Sequence, residues 1–290
     1  MIEKIFIPTV TRMDNQITYD NLPDELKKRV VFVVQKWERE KYNFDADYMV
    51  LPDYITLEHP RAIAETRKLI YEEGKNIKYA VLDDDITFNR RNAKYWTGTS
   101  NMEKSKRKCD LSDILEMFEL YSNWLDEPSV TVCGCSHVQN PPGSSAYSNN
   151  SSIASTYWIN GPDFADILSD LKLTEVKIAE DILFILSLLS RGYGNRVSQE
   201  FCFSNNSILN KKIKSEIWDK QTQEATLRDH QTIARMFPGI FEVLYEGNNP
   251  TMGNIKRKEG GFRNSGKFKC YWSKAFNSHT ENTLENFLND

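Results

Sequence analysis

Short apolar runs recur along the first half of the chain, each closed by proline, glycine or a polar stretch. Lys4–Pro8, Arg29–Gln35 (RVVFVVQ), Tyr48–Leu51 and Tyr79–Leu82 are such runs. Their length and β-branched content predict buried strands. Between them, Asn15–Leu26 is polar and ends in a helix. His59–Gly74 has helical spacing, with Pro60 near its start and Gly74 at its C-cap. Strands alternating with helices predict an α/β fold, a mostly parallel central sheet flanked by helices.

The second half is less regular. Ala93–Lys108 is polar and basic, which predicts a loop or insertion. Leu111–Leu125 is an amphipathic helix and Val130–Val138 a strand. Gln139–Ser155 carries no charge and is rich in Ser, Asn, Pro and Gly, predicting a mobile loop. A strand over Thr156–Asn160, a helix from Gly161 to Leu171, a very apolar helix over Glu175–Ser190 and a strand over Arg196–Phe203 follow. The longest apolar stretch, Ile182–Leu189, is interrupted by Ser187 and is too short to span a membrane. The start, Met1–Ile7, reads as a strand rather than a secretory leader. The cysteines are odd in number (five) and form no C-x-x-C, which predicts reduced thiols in a cytoplasmic protein. A metal site on Cys133 and Cys135 would lack further ligands.

Composition bounds the function. With 290 residues, 40% hydrophobic and 12% aromatic, the chain is neither disordered nor fibrous. Its net charge of −4 argues against indiscriminate nucleic-acid binding. The charge is unevenly spread, however. Between Pro250 and Ala275 seven basic residues face one acid, Glu259, so that stretch is +6 and the remainder −10.

In open α/β sheets ligands collect at the carboxyl ends of the strands. Those ends are Pro8–Arg12, Pro52-Asp53 and Asp83-Asp84-Asp85. Three adjacent carboxylates repel one another, and a divalent cation would remove that cost, Mg²⁺ or Mn²⁺ with phosphate completing its shell. The alternative is a solvated acidic turn; the position after a buried strand favours the metal-diphosphate reading. A strand followed by D-x-D resembles the GT-A nucleotide-sugar glycosyltransferases. The resemblance implies a Rossmann-like single domain with an irregular acceptor-side half. It also implies a donor role for Asp83 and Asp84, and metal ligation by Asp83 and Asp85. It further implies that the loop with Pro8, Thr9, Arg12 and Gln16 cradles the nucleoside. Arg61 and Arg67, on the helix before the triplet, can reach the base or diphosphate; an ordinary solvated helix face is the other reading. His230 is a candidate third metal ligand, or simply a helix-surface histidine.

Glu180-Asp181, followed by Arg191-Gly192-Tyr193, resembles the acidic motif of the same enzymes. At about 100° per residue, Ile178, Ile182, Ile185 and Leu189 form one stripe. Asp181 falls at its edge and Glu180 nearly opposite, so Glu180 is expected to face solvent. Asp181 is then the candidate general base for direct displacement at the sugar C1. An acid placed at a helix N-terminus for the dipole is the alternative.

The stretch Ile7-Pro8-Thr9, Arg12, Asn15-Gln16-Ile17-Thr18 and Asn21-Leu22-Pro23 is more distinctive. It resembles the bacteriophage TET-associated glycosyltransferases, relatives of the base J glucosyltransferase, over roughly the first ninety residues and again around Glu180–Tyr193. That resemblance implies sugar transfer from a UDP-sugar, with Mn²⁺ or Mg²⁺, to 5-hydroxymethylcytosine in DNA. The basic residues Lys256, Arg257, Lys258, Arg263, Lys267 and Lys269, interleaved with Phe262, Phe268, Tyr271 and Trp272, would then meet double-stranded or locally opened DNA. A C-terminal excursion with an aromatic anchor, or a lid on the donor diphosphate, are the alternatives for this segment. The expected organisation is a catalytic domain over residues 1–245, with a nucleotide-sugar half (about 1–90) and an acceptor half (about 91–245). A basic, aromatic extension over 246–290 follows. A monomer or weak dimer is expected, in the host cytoplasm if phage-encoded. A transferase acting on a glycan or small molecule, a non-catalytic binding module and a nucleotidyltransferase remain alternatives.

Overall fold

The computed structural model describes residues 1–56, 58–92, 106–140, 145–205, 216–246, 249–250, 252–256, 262–266 and 268–279. Of these, the side chains of 216–224, 245–246, 249–250, 252–256 and 262–266 are not described. The central sheet has ten strands. They are β1 (Lys4–Pro8), β2 (Val30–Val34), β3 (Asp47–Val50), β4 (Lys78–Leu82), β5 (Ile86–Arg91), β6 (Lys106–Lys108), β7 (Val132–His137), β8 (Tyr147–Asn149), β9 (Thr156–Asn160) and β10 (Asn195–Asn205). Their order is β3-β2-β1-β4-β9-β7-β10-β5-β6, with β8 paired to β10. β3, β2, β1 and β4 run parallel, as do β7 and β10, while β9 and β5 run against their neighbours. The fold is the expected α/β arrangement of a mostly parallel sheet flanked by helices.

Strands β1, β2 and β4 are largely apolar because both faces are covered. Period-two alternation assigns Phe6, Val31, Val33, Tyr79 and Val81 to one core and Ile5, Ile7, Val30, Phe32, Val34, Ala80 and Leu82 to the other. The helices divide accordingly. α1 (Ile17–Asn21) and α2 (Asp24–Lys27) follow β1; α3 (Ala62–Gly74) and α5 (Glu180–Leu189) cover the first face, and α4 (Leu111–Trp124) the second. Asp110 caps α4 in a capping box with Asp113. α6 (Glu216–Met236) and β11 (Phe241–Val243) come next. Four short strands follow them: β12 (Tyr245–Glu246), β13 (Asn249–Pro250), β14 (Met252–Lys256) and β15 (Phe262–Gly266). β16 (Phe268–Cys270) pairs with β11, and a helix over 272–279 returns Ala275 to the first core.

Two expectations need correction. The strand β5 and its antiparallel pairing with β10 were not anticipated, because Ile86–Arg91 alternates with polar residues directly after the acidic triplet. The apolar helix is also shorter than its sequence pattern, Glu180–Leu189 rather than Glu175–Ser190, with Leu173–Glu175 forming a separate 3-10 turn. The expected loops over 93–108 and 139–155 lie partly outside the described residues; inside them, β6 and β8 pair with the sheet.

Gly161 packs closely against the backbone between α3 and β4. A Cβ there would run into the carbonyl oxygen of Gly74 and lie 2.8 Å from that of Ile77. Gly161→Ala is expected to destabilise the fold by about 1–3 kcal/mol, as overpacking against backbone does. Urea denaturation reads this as a lower midpoint at unchanged slope.

Candidate active site

The carboxyl end of β1 turns sharply. Thr11 adopts a left-handed backbone (φ 58°), unfavourable for a β-branched residue. Buried groups hold it there: Thr11 N–H donates to Glu38 Oε2 at 2.9 Å, and Arg12 N–H reaches Tyr42 Oη at 3.4 Å. Burial pushes the Glu38 carboxyl above the usual range. Gln16 Nε2 donates to Thr9 Oγ1 at 2.8 Å and to the Arg12 carbonyl at 2.9 Å.

This turn delivers Thr9 and Arg12 to the acidic triplet at the end of β4. Thr9 Oγ1 donates to Asp84 Oδ2 at 2.6 Å. Arg12 Nη1 lies 2.5 Å from Asp84 Oδ1, and its Nη2 lies 3.4 Å from Asp85 Oδ2. Asn205 Nδ2, at the end of β10, donates to Asp85 Oδ1 at 2.9 Å. Burial pushes Asp84 up to about 7, against the pull of Arg12 and Thr9. Thr18 grips the turn itself: its Oγ1 donates to the Asp83 carbonyl and accepts the Ile86 N–H. Arg12, and Arg67 against Asp83, supply much of the countercharge that sequence reasoning assigned to a cation. Asp83 is the most open of the three, its side chain 30% exposed against 11% for Asp84 and 9% for Asp85.

Arg67 joins this cluster to the second group of acids. It rises from α3, buried, and its Nη2 lies 2.5 Å from Asp83 Oδ1. Burial opposes its charge, but Asp83, Tyr71, Tyr157 and Glu180 together hold it firmly protonated. Glu180 and Asp181 stand at the start of α5. Burial and the neighbouring Asp181 push Glu180 up, and burial pushes Asp181 up; Arg67 pulls both down. Close like charges titrate as a pair. Arg67 Nη1 and Glu180 Oε2 are buried and have no hydrogen-bond partner among the described residues. Orphaned buried polar atoms of this kind mark a place for a water or a ligand group.

The expectation that Glu180 faces solvent is overturned: Glu180 is buried at 8% exposure, whereas Asp181 is partly exposed. A helical stripe sorts residues only when one side meets water. In α5, Leu183 through Leu189 are all buried, so the helix has no water side to sort against.

The remaining predicted residues fall as follows. Pro8 ends β1 beside the turn. Arg61 is exposed at the start of α3 and makes none of these contacts. His230 is buried against the rings of Phe241 and Phe268. No group of three or more His, Cys, Asp and Glu residues positioned to hold a metal occurs among the described residues, so Asp83, Asp85 and His230 are not gathered into one ligand set. The donor set fits a hard cation only through Asp83, with Asp85 able to join if Arg12 releases it. Lys269 is exposed beside the Tyr271 ring. The side chains of Lys256, Arg257, Lys258, Arg263 and Lys267 lie outside the described residues. Sequence reasoning missed Glu38 and Tyr42, hidden in the charged run KWEREKY, and gave Thr18 no role of its own.

The sequence model of the family described as TET-Associated Glycosyltransferase matches residues 3–212. No curated protein matches the chain. Among solved structures, the chain is similar to a putative glucose-1-phosphate thymidylyltransferase from Bacillus anthracis in complex with a sucrose. The likeness has 12% identity and a TM-score of 0.32, and covers 70% of this chain and 89% of that one.

Removing Arg67 would leave Asp83, Glu180 and Asp181 without their shared countercharge. Arg67→Met is expected to cost about 3–5 kcal/mol near neutral pH. The raised pKa values of Glu180 and Asp181 would rise further, and a raised carboxyl opposes folding once ionised, so stability falls as pH climbs. Denaturation midpoints should therefore show a smaller loss at about pH 5 than at about pH 8; equal losses would count against the shared-charge geometry.

Proposed function

The chain belongs to the TET-associated glycosyltransferases, and on that premise we propose that it moves a sugar from a UDP-sugar to the hydroxymethyl group of 5-hydroxymethylcytosine in DNA. That it is a sugar-transferring enzyme follows from the family. The observation that supports the finer reading is the line Asp83–Arg67–Glu180/Asp181, in which Arg67 Nη1 and Glu180 Oε2 are buried with no hydrogen-bond partner among the described residues. Thr9, Arg12, Gln16, Asp84 and Arg67 hold the nucleoside diphosphate; Arg12 is already poised beside carboxylates and can turn its fork to phosphate. Asp83, joined by Asp85, holds Mn²⁺ or Mg²⁺. The cation, when bound, neutralises charge on the leaving diphosphate.

Asp181 accepts the proton of the acceptor hydroxyl as that oxygen bonds to the sugar C1. The bond from C1 to the diphosphate oxygen breaks, and UDP leaves with the electron pair. Glu180 keeps a neighbouring acid beside the base, and burial raises Asp181 toward the basicity that proton removal near neutral pH requires. The C-terminal extension over 246–290, with Lys269 and the other basic residues, receives DNA, and the base is turned out of the duplex to reach the site. The enzyme works as a monomer or weak dimer in the cytoplasm of the cell that holds that DNA. No helix long and apolar enough to cross a membrane occurs among the described residues.

Thermal shift against a panel of nucleotide sugars with Mn²⁺ tests the donor side. A UDP-sugar should raise the melting temperature, since a ligand that binds only the folded state stabilises it; no shift with any nucleotide sugar would sink the donor reading. Asp181→Asn should lower kcat on the order of 10²–10⁴-fold, with the donor KM little changed. Unimpaired turnover would remove Asp181 from the base role.

A further inference from the structure

The start of α5 carries the acid pair, and the Ile182 N–H there is met by Asp181 Oδ1 at 2.7 Å. Its N-cap is Ala179, which offers no side-chain hydrogen bond. A carboxylate from α6 instead gathers the backbone turn that leads into the helix. Asp229 is 3% exposed, and its Oδ2 accepts the N–H groups of Lys177 at 2.9 Å, Ile178 at 2.7 Å and Ala179 at 3.2 Å. One carboxylate oxygen thus gathers three successive backbone donors immediately before Glu180. Charge-assisted bonds of this kind are strong, and a negative charge suits a helix N-terminus.

Asp229 is itself fixed. The adjacent His230 packs against Phe241 and Phe268, whose rings stack at 4.8 Å. One turn on, Ile233 is fully buried in the core that also contains α5. All of these residues lie beyond residues 3–212, the span the family model matches.

We propose that Asp229 is a positioning residue for sugar transfer: from outside the family-matched region it fixes the backbone turn from which Glu180 and Asp181 project. The catalytic consequence rests on the proposed role of that acid pair; the backbone consequence does not. The family-matched region would then hold the acids without the group that aims them. A misplacement of about 1 Å in a reacting group costs on the order of 10²-fold in rate.

The test compares full-length wild type, Asp229→Ala and Asp229→Asn by amide hydrogen exchange and by steady-state kinetics. Asparagine retains an acceptor oxygen; alanine has none. Asp229→Ala should speed exchange at 177–179 by roughly tenfold or more, leaving the amides of β1 and β4 unchanged. Its kcat should fall on the order of 10²-fold with the donor KM within about twofold, and Asp229→Asn should recover most of that loss. Should the alanine variant not fold, Asp229→Ser, too short to reach all three donors, takes its place. Unchanged exchange at 177–179 overturns the proposal whether or not sugar is transferred. Normal kcat in Asp229→Ala overturns it too. A wild type that transfers no sugar speaks against the proposed reaction, and the exchange result still decides the part played by Asp229.

Discussion

Arg67 sits inside the protein because three carboxylates make leaving it there favourable. A buried guanidinium without partners would be far too costly, and so would Glu180 and Asp181 without a cation nearby. Each makes the other tolerable. The contact with Asp83 ties α3 to the carboxyl end of β4, and the field of the same guanidinium reaches the start of α5. The three elements that carry the candidate chemistry therefore meet at one charge. Around it, Arg12 performs the same service for Asp84 and Asp85, held in place by a turn whose left-handed Thr11 depends on buried Glu38.

That arrangement changes how the acidic triplet is understood. Three carboxylates in sequence suggest a cation because their repulsion demands compensation. The folded chain supplies compensation from within, through two arginines and the hydroxyl and amide donors of Thr9 and Asn205. In the proposed mechanism a metal serves the leaving diphosphate rather than the fold, and Asp83, the most exposed carboxylate of the triplet, is the one with room for it.

Much of the scaffold was legible because strands with both faces buried must be continuously apolar, as Val30–Val34 is. The ends of those strands then located Thr9, Arg12 and the triplet, and Arg67 followed from its helix. What could not be read was contact between distant segments. Glu180 looked solvent-facing because a helical wheel presumes a wet side that α5 lacks. Glu38 looked like one more charge in a charged run, yet it is completely buried. Asp229 stands in a polar helix with no pattern to distinguish it, and only the approach of α6 to the α5 N-terminus gives it meaning. Each of these residues is a buried acid, and burial of an acid is decided by partners that no local spacing reveals.

The most direct measurement is the intact mass of a short duplex carrying a single 5-hydroxymethylcytosine after incubation with the chain, a UDP-sugar and Mn²⁺. A gain of one glycosyl unit on that duplex, and none on the matching unmodified cytosine duplex, is expected. No gain on the modified duplex, with transfer to a saccharide acceptor under the same conditions, would contradict the DNA assignment.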